Sequence, residues 1–122
     1  MELNVLTEKI IGCAIEVHRA LGPRLLESVY ESALCIELED NGISFERQKI
    51  LPVSYKQKSI GEFRTDLIAE KTVLLELKSV ERFDPVFEAQ ILSYMRLGSY
   101  RLGLRINFNS RLLKDGIKRY IL

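Results

Sequence analysis

Asp66 and Glu76 stand ten positions apart, and Lys78 follows at once in Glu76-Leu77-Lys78. Two carboxylates and an amine set in apolar runs are costly to bury unless something offsets their charge, and a divalent cation is the usual offset. In Thr72-Val73-Leu74-Leu75-Glu76-Leu77-Lys78 the alternation of a strand sends Val73, Leu75 and Leu77 to one face and Leu74, Glu76 and Lys78 to the other. The preceding run, from Ile60 to Ala69, puts Arg64, Asp66 and Ile68 on one side and Phe63, Leu67 and Ala69 on the other. With only Glu70 and Lys71 between the runs, an antiparallel hairpin is the economical reading; neither residue is the Gly or Asn of a tight turn, so the register is open by one residue. A register that sets Asp66 beside Glu76 brings two hard oxygen ligands together, which suits Mg²⁺ or Mn²⁺. The plainer reading of Glu76 and Lys78 is a solvent-facing stripe on an edge strand, but their Leu-rich flanks argue for a central one.

The elements that must position these residues run as helices, strands, a helix and strands. From Thr7, read as an N-cap, apolar residues at Ile10, Ile11, Ala14, Ile15 and Leu21 keep helical spacing until Gly22-Pro23. A second helix is predicted from near Leu25, through Val29, Tyr30, Ala33, Leu34 and Leu38, to Asn41-Gly42. Residues 43–46 and 50–55, the latter broken at Pro52, read as short or edge strands. Asp84 as N-cap and Pro85 at the first helical position start a third helix that runs to about Leu97. Tyr100 to Phe108 alternates like a strand, and residues 116–122 supply a last one after Asp115-Gly116. The predicted fold class is α/β, in the order α-α-β-β-β-β-α-β-β.

Composition bounds the alternatives. A chain of 122 residues, 47% of them apolar, is expected to form one domain over residues 1–122. It has no apolar run of membrane-spanning length and no signal-like start at Met1-Glu2-Leu3-Asn4, so a cytoplasmic protein without a membrane partner is expected. Cys13 and Cys35, lacking CxxC or Cys/His spacing, read as buried thiols. The net charge of +1 hides an asymmetry: residues 96–122 carry Arg96, Arg101, Arg105, Arg111, Lys114, Lys118 and Arg119 against Asp115 alone. That quarter is a candidate basic surface, with an ordinary solvated face as the alternative.

Two helical positions are polar beside apolar stripes. Glu27 lies next to Leu26 and Val29 and is able to reach the strand face, although a carboxylate near a helix N-terminus is also favoured by the helix dipole. Gln90 falls within the stripe of Val86, Phe87 and Tyr94, where a buried amide needs partners. His18, the only histidine, reads as a packed or capping residue, and Tyr30 and Tyr94 read first as core aromatics.

Taken in order, Glu27, Asp66, Glu76-x-Lys78 and Gln90-x-x-x-Tyr94 resemble the PD-(D/E)xK nuclease superfamily, and within it the GxxExxY family. The resemblance extends from residues 15–23 and 25–31 through the hairpin to Ile106-Asn107-Phe108-Asn109 and residues 113–118. It departs at Arg24, where the family name calls for Gly, and at Thr65, where the superfamily name calls for Pro. The resemblance implies a restriction-endonuclease-like core, a mixed central sheet flanked by helices. It also implies metal-dependent phosphodiester hydrolysis in DNA or RNA. Asp66, Glu76, the Leu77 carbonyl and Glu27 would hold Mg²⁺ or Mn²⁺, and Lys78 would orient the attacking water or stabilise developing charge. Gln90, Tyr94 and Arg64 would position the substrate or brace the acids. Two alternatives stand beside this: a nuclease-fold module that binds nucleic acid or a protein with little or no cleavage, and a plain interaction protein. So small a domain has little surface for gripping a duplex, and a homodimer or larger partner would extend it.

Overall fold

In the computed structural model, which describes residues 1–122, two helices come first: α1 (Leu3–Leu21) and α2 (Glu27–Asp40). The first starts four residues before Thr7, because the Glu2 carboxylate caps the N–H groups of Asn4 and Val5. Thr7 is instead inside the helix, its hydroxyl donating to the Leu3 carbonyl at 2.7 Å. Gly22, at φ 71°, ends the helix.

Seven strands and a third helix follow: β1 (Phe45–Arg47), β2 (Ile50–Tyr55), β3 (Lys58–Arg64), β4 (Leu67–Ala69), β5 (Val73–Lys78), α3 (Pro85–Gly98), β6 (Leu102–Asn107) and β7 (Ile117–Ile121). A 3₁₀ turn over Leu113–Gly116 stands where a simple Asp115-Gly116 turn was expected. Five strands form a mixed sheet in the order β1-β4-β5-β6-β7, in which only β5 and β6 run parallel. That pair is joined by the crossover through α3, as parallel neighbours require. β5 is central, so Glu76 and Lys78 do not lie on an edge strand.

The run from Ile60 to Ala69 is not one strand. Its first part, β3, pairs with β2 in a separate exposed ribbon, and only Leu67–Ala69 pairs with β5. The break falls at Thr65-Asp66, where the Thr65 N–H and hydroxyl both donate to the Lys49 carbonyl and the Gln48 N–H donates to the Asp66 carbonyl. Arg64 therefore ends the ribbon, exposed, and does not share a strand face with Asp66. Pro52 is accommodated because the ribbon has no third strand to claim its missing donor. The turn between β4 and β5 uses Glu70 and Lys71 at φ 50° and 58°, and the Thr72 N–H closes it on the Ala69 carbonyl. This is the left-handed geometry of a tight hairpin, made here without Gly or Asn.

Alternation along the sheet sorts two cores. Leu67, Ala69, Val73, Leu75, Leu77, Leu104 and Ile106 face α1 and α2. Ile68, Leu74, Ile91 and Met95 form a smaller cluster under α3 with Leu51 of the ribbon. Asp66, Glu76 and Lys78 fall on the α3 side by parity. Gly103 lets α3 approach closely, since a Cβ there would lie 2.7 Å from the Met95 sulfur. Both cysteines are buried and free.

Candidate active site

Antiparallel pairing of Leu67 with Leu75 and Ile68 with Leu74, continued by one step, sets Asp66 opposite Glu76. An Asp66 carboxylate oxygen accepts the Leu77 N–H at 2.8 Å, which locks the acid against the strand that carries its partner. Glu76 is only 8% exposed, and its Oε1 is buried without any hydrogen-bond partner. An orphaned carboxylate oxygen in such surroundings costs several kcal/mol when charged, so it takes a proton or a cation.

The electrostatics point the same way. Burial first, and the charge of Asp66 second, push the Glu76 carboxyl from 4.5 up to about 8. Burial also pushes Asp66 from 3.8 up to about 6, opposed by the Leu77 hydrogen bond and helped by the charges of Glu31 and Glu27. Lys78 lowers both but does not cancel the rise. It makes no ion pair; its ammonium lies 4.4 Å from the ring centre of Phe87 on α3. The Tyr94 hydroxyl is raised by burial and then by the charges of Glu76 and Asp66, and its ring packs 5.2 Å from that of Phe63 on the ribbon.

The other expected residues lie further out. Glu27 sits exposed on the first turn of α2, where its charge reaches both acids, and no group of three acidic, His or Cys side chains is close enough to hold an ion. Gln90 is exposed, not buried in the α3 stripe, because that stripe is set by Ile91 and Met95 and passes it by. The basic C-terminal quarter does not form one surface. Arg105 is 8% exposed, Lys118 pairs with Glu88, and Arg119 bonds to Asn4.

Two residues beside the site were not read as part of it from sequence. Glu31, 7% exposed, accepts from Arg47 Nε at 2.7 Å and Gln48 Nε2 at 2.8 Å, and so ties α2 to the segment bonded to Asp66. Its signal was there: with Leu34, Cys35 and Leu38 it heads the buried stripe of α2. Arg105 pairs in register with Glu76 and stacks 3.7 Å over the Phe83 ring, its Nε unpartnered. Its parity with Gly103 on the strand was the clue. His18 bonds the Ser110 carbonyl at 2.7 Å, a packing role.

A sequence model of the PD-(D/E)XK nuclease superfamily matches residues 4–120. The chain belongs to that superfamily. The five-stranded mixed sheet flanked by helices is the restriction-endonuclease-like arrangement expected of it. No curated protein and no solved structure matches the chain. Nucleases of the superfamily generally use divalent metals, and the residues present fit one. Mg²⁺ keeps much of its water and is commonly held by one or two carboxylates, which is what Asp66 and the unsatisfied Glu76 offer. No helix is long and apolar enough to cross a membrane.

Proposed function

We propose that the chain hydrolyses phosphodiester bonds in DNA or RNA with Mg²⁺ or Mn²⁺ held by Asp66 and Glu76, within the GxxExxY branch of the superfamily. The observation that carries this reading is the buried, unpartnered Glu76 Oε1 beside Asp66. The ion, when bound, lowers the pKa of a coordinated water and neutralises charge on the phosphate. The chain's own residues do the rest. The Leu77 N–H fixes one Asp66 oxygen, leaving the other for coordination, and the Leu77 carbonyl is a further ligand in this proposal. Lys78, unpaired with either acid, is free to orient the water or meet charge developing on the phosphate. In this proposal Tyr94 braces the acid pair, Glu27 supplies outer negative charge, and the exposed Gln90 and Arg64 meet the strand.

A second reading has its own support: with Glu27 exposed and no third carboxylate close by, a weakly active or inactive module that binds nucleic acid is the alternative. Incubation of purified protein with DNA and RNA in Mg²⁺ or Mn²⁺ separates the two. Wild type is expected to nick or degrade one of them, and Asp66→Ala, Glu76→Ala and Lys78→Ala each to lower the rate by on the order of 100-fold or more with the circular dichroism spectrum kept. Undiminished cleavage by all three variants would sink the hydrolytic site. Binding by wild type without turnover would favour the module.

A further inference from the structure

The loops after α1, β5 and β6 line an open cleft of about 560 Å³, formed by Pro23, Arg24, Glu81, Asn109 and Arg111. Neither arginine has an ion-pair partner, although Glu81 lines the same cleft. Its walls are tied to the strand end that carries Lys78. Ser79 Oγ donates to the Leu25 carbonyl at 2.6 Å, the Asn107 amide bonds both the N–H and the carbonyl of Val80, and the Phe108 N–H donates to the Lys78 carbonyl at 2.9 Å. Arg24 holds φ at 76°, a conformation disfavoured for any residue with a Cβ.

We propose that this cleft binds a backbone phosphate of a nucleic acid strand away from the scissile bond, with Arg24 and Arg111 as positioning residues; this rests on the reading that the chain acts on nucleic acid. The lining chemistry selects the ligand. No hydrophobic side chain lines it, so a base or an acyl chain would meet only Pro23 and the arginine stems. Two guanidinium groups against the one Glu81 carboxylate leave a lining charge of +1, which favours an anion. Planar guanidinium donors suit phosphate oxygens in pairs. Arg111 also lines the adjoining cleft with Lys114, beyond which Arg19 is paired with Glu16, so positive charge extends past the first cleft through Lys114.

Fluorescence anisotropy tests this with a labelled single strand and its duplex, Ca²⁺ replacing Mg²⁺ so that the probe stays intact. The Arg24→Gly/Arg111→Gln variant is expected to bind severalfold more weakly. Its slope of log affinity against log salt should be shallower by roughly 0.7 to 0.9 per arginine removed. Its melting temperature should be no lower than that of wild type, because Gly relieves the left-handed backbone at position 24; should it fail to fold, Arg24→Gln is read in its place. Unchanged affinity and slope in the variant, or no binding by wild type, would each overturn the proposal. Cleavage plays no part in the measurement. A wild type that never cuts, but binds in an arginine-dependent way, refutes the hydrolysis and keeps the cleft.

Discussion

At Glu76 the fold holds a carboxyl group where its own charge is disfavoured, and stability must depend on pH as a result. Its pKa of about 8, against 4.5 unfolded, means that the folded chain keeps a proton that the unfolded chain has released between those values. The stabilisation is complete below the unfolded pKa and is lost as pH rises through about 8; Asp66 adds to the same trend between about 4 and about 6. Denaturation in EDTA should therefore show stability falling from pH 5 to pH 8.5 by on the order of a few kcal/mol. Glu76→Gln should flatten the curve. Mg²⁺ should raise the unfolding midpoint more at pH 8.5 than at pH 5, since the ion and the proton compete for the same oxygens. A flat profile for wild type in EDTA would show that Glu76 is not strained in this way. Which residues of each strand share a face was legible from parity, but the register that brings Asp66 beside Glu76 was not, because three residues, Glu70 to Thr72, separate the paired Ala69 and Val73 where two were expected. Glu31 was harder to read, since what buries it is Arg47 and Gln48, more than fifteen positions away in sequence.

At the scale of elements, the site depends on how closely α3 lies on β6. Gly103→Ala would put a methyl group 2.7 Å from the Met95 sulfur and 3.3 Å from Ile91 Cδ1. The methionine can yield in part, so a destabilisation of about 1 to 3 kcal/mol is expected. Tyr94 is the neighbour of Met95, so under the proposed function cleavage should fall with the shift of the helix. An unchanged melting temperature would show that the approach is looser than the contacts imply. Helix α3 itself was legible through Asp84 and Pro85, its cap and first turn. The division of residues 60–69 between ribbon and sheet was not, because alternation continues across it. What divides the run is the bonding of Thr65 and Asp66 to Lys49 and Gln48, a non-local pairing that periodicity does not record. Gln90 illustrates a related limit: a helix has one buried stripe, but which of two adjacent stripes it is depends on the partner surface.

Over the whole molecule, the two faces of the sheet are unequally filled. The larger core lies under α1 and α2, while α3 and the ribbon share a cluster of seven buried residues, and every residue of β3 is exposed. Local opening is cheapest where few apolar contacts oppose it. Hydrogen exchange should therefore find the amides of β2 and β3 exchanging first and those of β4, β5 and β6 last; equal protection of ribbon and sheet would contradict this. The order of elements was legible from sequence to within one strand, yet the dispersal of the C-terminal basic residues was not, since a linear cluster becomes a surface only if the fold keeps it on one side. The chain contains no tryptophan, and Lys78 rests over the ring of Phe87. Phe87→Trp keeps that contact with the ring most favourable to a cation and installs a single fluorophore. Its emission should then change when Mg²⁺ or a nucleic acid draws the amine off the ring, giving an optical record of the lysine's departure. Lys78→Ala in the same background should abolish that change.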